Sequence, residues 1–168
     1  MTNAITDGFM NVYSLKPDGD RYQHLNLGGD EKDLKSLIAV RGFVGTSLVS
    51  SYEPLTVKLR RRGYQGQKLQ PSDFPLLSTH IPVFSEKAAQ ILRPHLEGLI
   101  EMLPLKCNNC QGETFYAINV TCIKDVLDMK DSDIVYFTNT DRILNVNRMV
   151  LDKNRLPAEM IFRTHDCF

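Results

Sequence analysis

The chain has no net charge, no long apolar run and no catalytic signature, and each absence narrows what it can be. Twenty Lys and Arg balance twenty Asp and Glu, so no global field draws the protein to nucleic acid or to an anionic membrane. No apolar run approaches the roughly 20 residues that span a bilayer as a helix. The N-terminal MTNAITDGFMNVYSL has neither a basic n-region nor an apolar h-region, so it does not read as a signal peptide. A cytoplasmic location is expected, and there the four cysteines are expected to be reduced. No P-loop, GxGxxG or GxSxG elbow occurs, and no cysteine-protease signature surrounds Cys107, Cys110, Cys122 or Cys167. No residue is assigned a catalytic role, and neither enzyme activity nor a cofactor is expected. Internal repeats and low-complexity segments are lacking too.

What is present is an ordinary globular composition. With 168 residues, 42% hydrophobic and 24% charged, wholesale disorder is excluded. The length suits one domain over residues 1–168, burying roughly two thirds of its unfolded surface. Within it, residues 1–70 read as strands and loops and residues 72–163 as the denser core. Phe9–Leu15 alternates, Lys16–Asp20 supplies turn chemistry, and Tyr22–Leu27 is expected to return as the second strand of a hairpin. Asp30 is placed to cap a short helix through Ile38, Arg41–Ser51 reads as irregular, and Leu55–Leu59 as a strand.

Ser85 is a good N-cap for a helix whose apolar face would be Ala88, Ile91, Leu92 and His95-Leu96, limited by Pro94 and ended by Gly98. Leu99–Leu103, Thr114–Val120, Ile134–Phe137 and Ile143–Leu151 are expected strands, with Thr114–Val120 central. Lys124–Met129 suits a short helix or turn, and Pro157–Glu159 a last turn before Met160–Arg163. Strands outnumber helices. The expected class is α+β, a mainly antiparallel or mixed sheet with a few short helices.

Three clusters carry possible chemistry. Cys107-x-x-Cys110 has the spacing of one edge of a zinc site, but a lone CxxC lacks its second pair, and a hairpin turn with free thiols is the favoured reading. A thioredoxin-like role fails because the pair lies between strand-like runs rather than at a helix start. Lys58, Arg60, Arg61, Arg62 and Lys68, interleaved with Tyr64, have the makings of a phosphate grip, yet a solvated hairpin tip is the simpler reading. Asp125, Asp128, Asp131, Asp133 and Asp141 could face a basic partner; their spacing is not that of an EF-hand, and capping of turns is the ordinary alternative.

In order along the chain come Asp73-Phe74-Pro75, Pro82-Val83-Phe84-Ser85-Glu86-Lys87-Ala88, Leu103-Pro104-Leu105, Tyr116-Ala117-Ile118-Asn119-Val120, Leu127-Asp128 and Ile161-Phe162-Arg163. This series resembles a bacterial family first catalogued as a domain of unknown function and later assigned to the immunity proteins of polymorphic-toxin systems (immunity family eleven, the Myxococcus-type immunity domain). The resemblance runs from about Ser72 to Arg163. That family continues past the Phe-Arg strand into a closing helix, whereas this sequence ends at Phe168. The resemblance implies a cytoplasmic binder without catalysis or cofactor, which occludes a cognate toxin or effector protein made from a neighbouring gene. Because many such toxins carry basic clefts for nucleic acid, Asp125, Asp128, Asp131 and Asp133 become the expected partner-facing residues. The alternative from the residues alone is a small zinc- or nucleic-acid-binding module built on Cys107, Cys110 and the Lys58–Lys68 loop.

Overall fold

A computed structural model describes residues 12–28, 42–77 and 81–164 of the chain. The fold is α+β and sheet-dominated, with ten strands and one α-helix among these residues. Its centre is β6 (Phe115–Val120), hydrogen-bonded antiparallel between β3 (Val83–Ser85) and β4 (Ile100–Pro104). The expected central position of this segment is therefore realised.

Alternation along β6 explains the layering. Phe115 and Ala117 face a first core with Val83 and Leu103, which is completed by Leu25, Val57 and Leu59. These last three come from a second sheet, in which β2 (Thr56–Arg60) lies between antiparallel β1 (His24–Leu27) and parallel β5 (Lys106–Cys107). Ile118 and Val120 face the opposite way, into a second core with Phe84 and with Ala89 and Leu96 of helix α1 (Glu86–Leu96). Sheet, sheet and helix thus form three layers, and a strand buried on both faces needs the nearly unbroken apolar run that β6 has.

Ser85 caps α1 as expected: its Oγ accepts the Ala88 N–H at 3.2 Å and donates to Asp73 at 2.7 Å. Pro94 does not stop the helix, which continues to Leu96. The proline lies in the last turn, where little helix remains to lose. Gly98, at a φ of +76°, then reverses the chain. The buried face is narrower than expected. Ala89 and Leu96 are buried, whereas Ile91 is 60% exposed.

Several expected elements differ. Residues 12–15 form no strand, and β1 pairs with β2, with no upstream strand beside it among the described residues; residues 9–11 of that segment and the expected Asp30–Ile38 helix lie outside the described residues. The register makes the long-range choice the better one, since Leu25↔Leu59 and Leu27↔Val57 bring three buried side chains and the half-buried Leu27 together. Lys124–Met129 holds no helix. Instead β7 (Ile123–Lys124) pairs parallel with β10 (Arg163–Thr164), and Leu127 bridges Leu151. Val126 and Leu127 are both 1% exposed, and burial of two adjacent side chains on opposite sides favours extended backbone.

The irregular segment 42–51, correctly expected to lack regular structure, is fixed by side chains. Glu101 accepts from the Ser47 hydroxyl at 2.5 Å, from the Leu48 N–H at 2.9 Å and from Asn119 Nδ2 at 2.9 Å. Burial pushes the Glu101 carboxyl up, but these donors and the Val49 N–H outweigh it and hold it below its ordinary value of 4.5. A depressed folded-state value adds stability that is present above pH 4.5 and lost as pH falls through the folded value. Glu101→Gln should therefore be less stable than wild type at pH 7, with the gap closing in urea titrations below about pH 4. A gap that persists unchanged at pH 3 would show that the carboxylate charge is not what holds the loop.

Candidate functional site

The four expected partner-facing carboxylates gather around the foot of one hairpin. Its strands are β8 (Asp133–Tyr136) and β9 (Ile143–Arg148), antiparallel and paired only with each other among the described strands. The foot is clamped by Ser132, whose Oγ donates to the Val150 carbonyl at 3.2 Å and accepts the Val150 N–H at 2.9 Å. At the tip Asn139 adopts a φ of +60°, and the Phe137 N–H donates to the Arg142 carbonyl at 2.9 Å.

The carboxylates do different jobs. Asp125 pairs with Arg155 at 2.8 Å, and Asp128 caps its own turn by accepting the Lys130 and Asp131 N–H groups at 3.0 and 3.1 Å. Asp133 accepts from Asn147 at 3.2 Å and lies opposite Arg148 in the ladder. Only the Asp131 carboxylate of these four lacks a partner among the described residues. Arg155 is the node of this region: its fork also reaches Asp152 at 2.9 Å and the Leu127 carbonyl at 2.8 Å. The acidic stretch is thus largely compensated in space, which its linear sequence does not reveal.

The hairpin's apolar side chains are exposed instead. Tyr136, Phe137, Leu144 and Met149 are 43%, 42%, 54% and 48% exposed, and none of the hairpin strand residues is fully buried. Arg142 lies over the Phe137 ring at 5.2 Å and holds it in place. A two-stranded ribbon has little stability of its own, and neither edge of this one is paired with another described strand, while large apolar side chains stand exposed on it. Sequence reasoning identified both strands but not this surface. Strand-like alternation marks a hairpin; what covers its faces is a tertiary property.

Cys107 and Cys110 correct the expectation of free thiols. The turn brings their Cα atoms to 5.6 Å and the two sulfurs are joined as a disulfide. The turn is held for this by Asn109, whose Oδ1 accepts the Leu59 N–H at 2.7 Å and whose Nδ2 donates to the Leu59 carbonyl at 3.0 Å. That amide acts as one more residue of β5 alongside β2. Paired sulfurs offer no thiolate edge to zinc, and no group of three or more His, Cys, Asp or Glu stands together among the described residues. Cys122 is unpaired, and burial pushes its thiol up. Alkylation of the unfolded protein without reductant should modify two fewer cysteines than after reduction; equal counts by intact mass would exclude the disulfide.

No family model matches the chain, and no curated protein matches it. No helix among the described residues is long and apolar enough to cross a membrane.

Proposed function

We propose that this protein is an immunity-type binder that neutralises a cognate toxin or effector protein by occlusion, and that the β8–β9 hairpin is its contact element. The observation that supports this most directly is the exposed set of Tyr136, Phe137, Leu144 and Met149 on a ribbon that no other described strand covers. Aromatic and aliphatic side chains presented together on one ribbon suit the centre of a protein interface, where a few such residues carry most of the binding energy. The Asp131 and Asp141 carboxylates, both without partners among the described residues, stand at the foot and tip of the ribbon and suit a basic rim on the partner. The ribbon edges, unpaired among the described strands, add backbone donors and acceptors that a partner strand can use. The sequence series from Asp73-Phe74-Pro75 to Ile161-Phe162-Arg163 supports the same reading by resemblance. In this reading the protein works in the toxin-producing cell and needs no cofactor.

The test is capture of the tagged chain's partner from its native host. The expected result is one stoichiometric protein, encoded next door, whose expression alone arrests growth and whose toxicity is relieved by co-expression of this chain. Growth arrest that this chain fails to relieve, despite soluble expression of both, would overturn the reading.

A further inference from the structure

The outer face of the β1–β2 ladder holds a second constellation, unrelated to the hairpin. The alternation that buries Val57 and Leu59 turns Lys58 and Arg60 outward, and Arg62 continues two residues on, where it bridges Lys68. Across the ladder, Asn26 lies beside Lys58 and His24 beside Arg60. No Asp or Glu occurs between Leu55 and Gln70. Among the described residues the loop's one ion pair joins Arg61 to Glu113 at 3.6 Å, which leaves Lys58, Arg60, Arg62 and Lys68 without a carboxylate.

These cations are arranged rather than loose. Arg60 Nε donates to the Arg62 carbonyl and Arg62 to the Gly66 carbonyl, each at 3.0 Å. The Arg60 guanidinium lies 4.3 Å over the Tyr64 ring, which is nevertheless 89% exposed. Tyr64 also borders an open cavity of about 670 Å³, with His24 and Asn26 in its lining and Lys16 beside them; Arg60 does not line it. His24 is 7% exposed, and its Nδ1 has no hydrogen-bond partner among the described residues. The Asp18 carboxylate at the rim is occupied by Arg21 at 2.6 Å, so it opposes an incoming anion weakly.

From this geometry we infer that the face binds single-stranded nucleic acid, one base stacking on Tyr64 over the cavity and the adjoining phosphates resting on Lys58, Arg60 and Arg62. A propped aromatic ring next to a row of unpaired cations is the arrangement by which sequence-tolerant single-strand binders work. The balanced total charge of the chain does not oppose it, because the cations concentrate on one strand face. A solvated hairpin tip would need neither the stacked guanidinium nor the cavity.

The experiment is fluorescence anisotropy of labelled oligo(dT) and oligo(rU), about ten nucleotides long, titrated with the full chain from 50 to 200 mM salt. The expected result is binding that weakens with salt, that falls roughly 5- to 150-fold in Tyr64→Ala, and whose log–log salt slope becomes shallower by about 1.4 in the Arg60→Ala/Arg62→Ala double variant. Uridine monophosphate at millimolar concentration should compete. Unchanged thermal melting of the variants is expected, since both replaced faces are solvent-exposed or half-exposed. Absence of binding at 50 mM salt, equal affinity of Tyr64→Ala, or equally tight binding of a duplex would overturn the inference. None of these readouts involves the hairpin, so their failure and that of the immunity reading are separable.

Discussion

Asn119→Leu is expected to lower the free energy of unfolding by about 3 kcal/mol, read as a shift in the urea midpoint at constant slope. Asn119 is 1% exposed, one residue from the end of β6, on the face that looks toward the first core. Its Oδ1 accepts the Gly45 N–H at 3.2 Å, and its Nδ2 donates to the Thr46 carbonyl at 2.7 Å and to Glu101 at 2.9 Å. Leucine fits the volume but leaves these groups without partners in a site of low dielectric, where unmet polar groups cost most. The loop cannot relax easily to compensate. Gly45 has a φ of +92°, and a Cβ there would meet the Ile123 side chain at 2.7 Å. The same loop carries Phe43, 1% exposed, into the first core. Asn119→Asp provides the sharper contrast. It sets a second carboxylate against Glu101, so it should be destabilised at pH 7 and recover in part as pH falls and one of the pair protonates. A Leu variant within 1 kcal/mol of wild type would remove Asn119 from its place as the pin of the loop.

The second large effect concerns the hairpin. Tyr136→Ala with Phe137→Ala is expected to weaken association with the proposed toxin partner by about 1,000-fold or more, because truncating anchors of this kind typically costs about 2 kcal/mol or more each. Thermal unfolding should change little, since both side chains are more than 40% exposed and belong to a ribbon that adds no residue to either core. Surface plasmon resonance on the pair of purified proteins separates the two quantities. Asp131→Asn should act differently, lowering the association rate a few-fold at low salt and hardly at all at high salt. A double variant that binds like wild type would move the contact surface elsewhere on the molecule.

The two faces suggest a division of labour within one small chain. The hairpin projects apolar side chains flanked by the Asp131 and Asp141 carboxylates, whereas the β1–β2 face presents cations without carboxylate partners among the described residues and the Tyr64 ring. They belong to different sheets and contribute to the fold differently: β2 supplies Val57 and Leu59 to the first core, while β8 and β9 supply nothing to either. Substitutions can therefore test each face with the other intact.

By itself the sequence determined what local chemistry controls. Ser85 followed by Glu86 made a capped helix start, the β-branched and aromatic run of β6 made a central strand, and strands formed within the runs 134–137 and 143–151. Tertiary structure decided everything that depends on a distant partner. Tyr22–Leu27 alternates well enough for either neighbour, and β2 won because Leu25 and Leu27 meet Leu59 and Val57 there. Asp125, Asp128 and Asp133 looked like one acidic face until Arg155, the turn backbone and Asn147 took them up individually. The Cys107–Cys110 link depends on Asn109 gripping Leu59, a residue 50 positions away. Exposure of Tyr136 and Phe137 was equally invisible, because a strand's pattern fixes which residues share a face, and only packing determines whether another layer covers it.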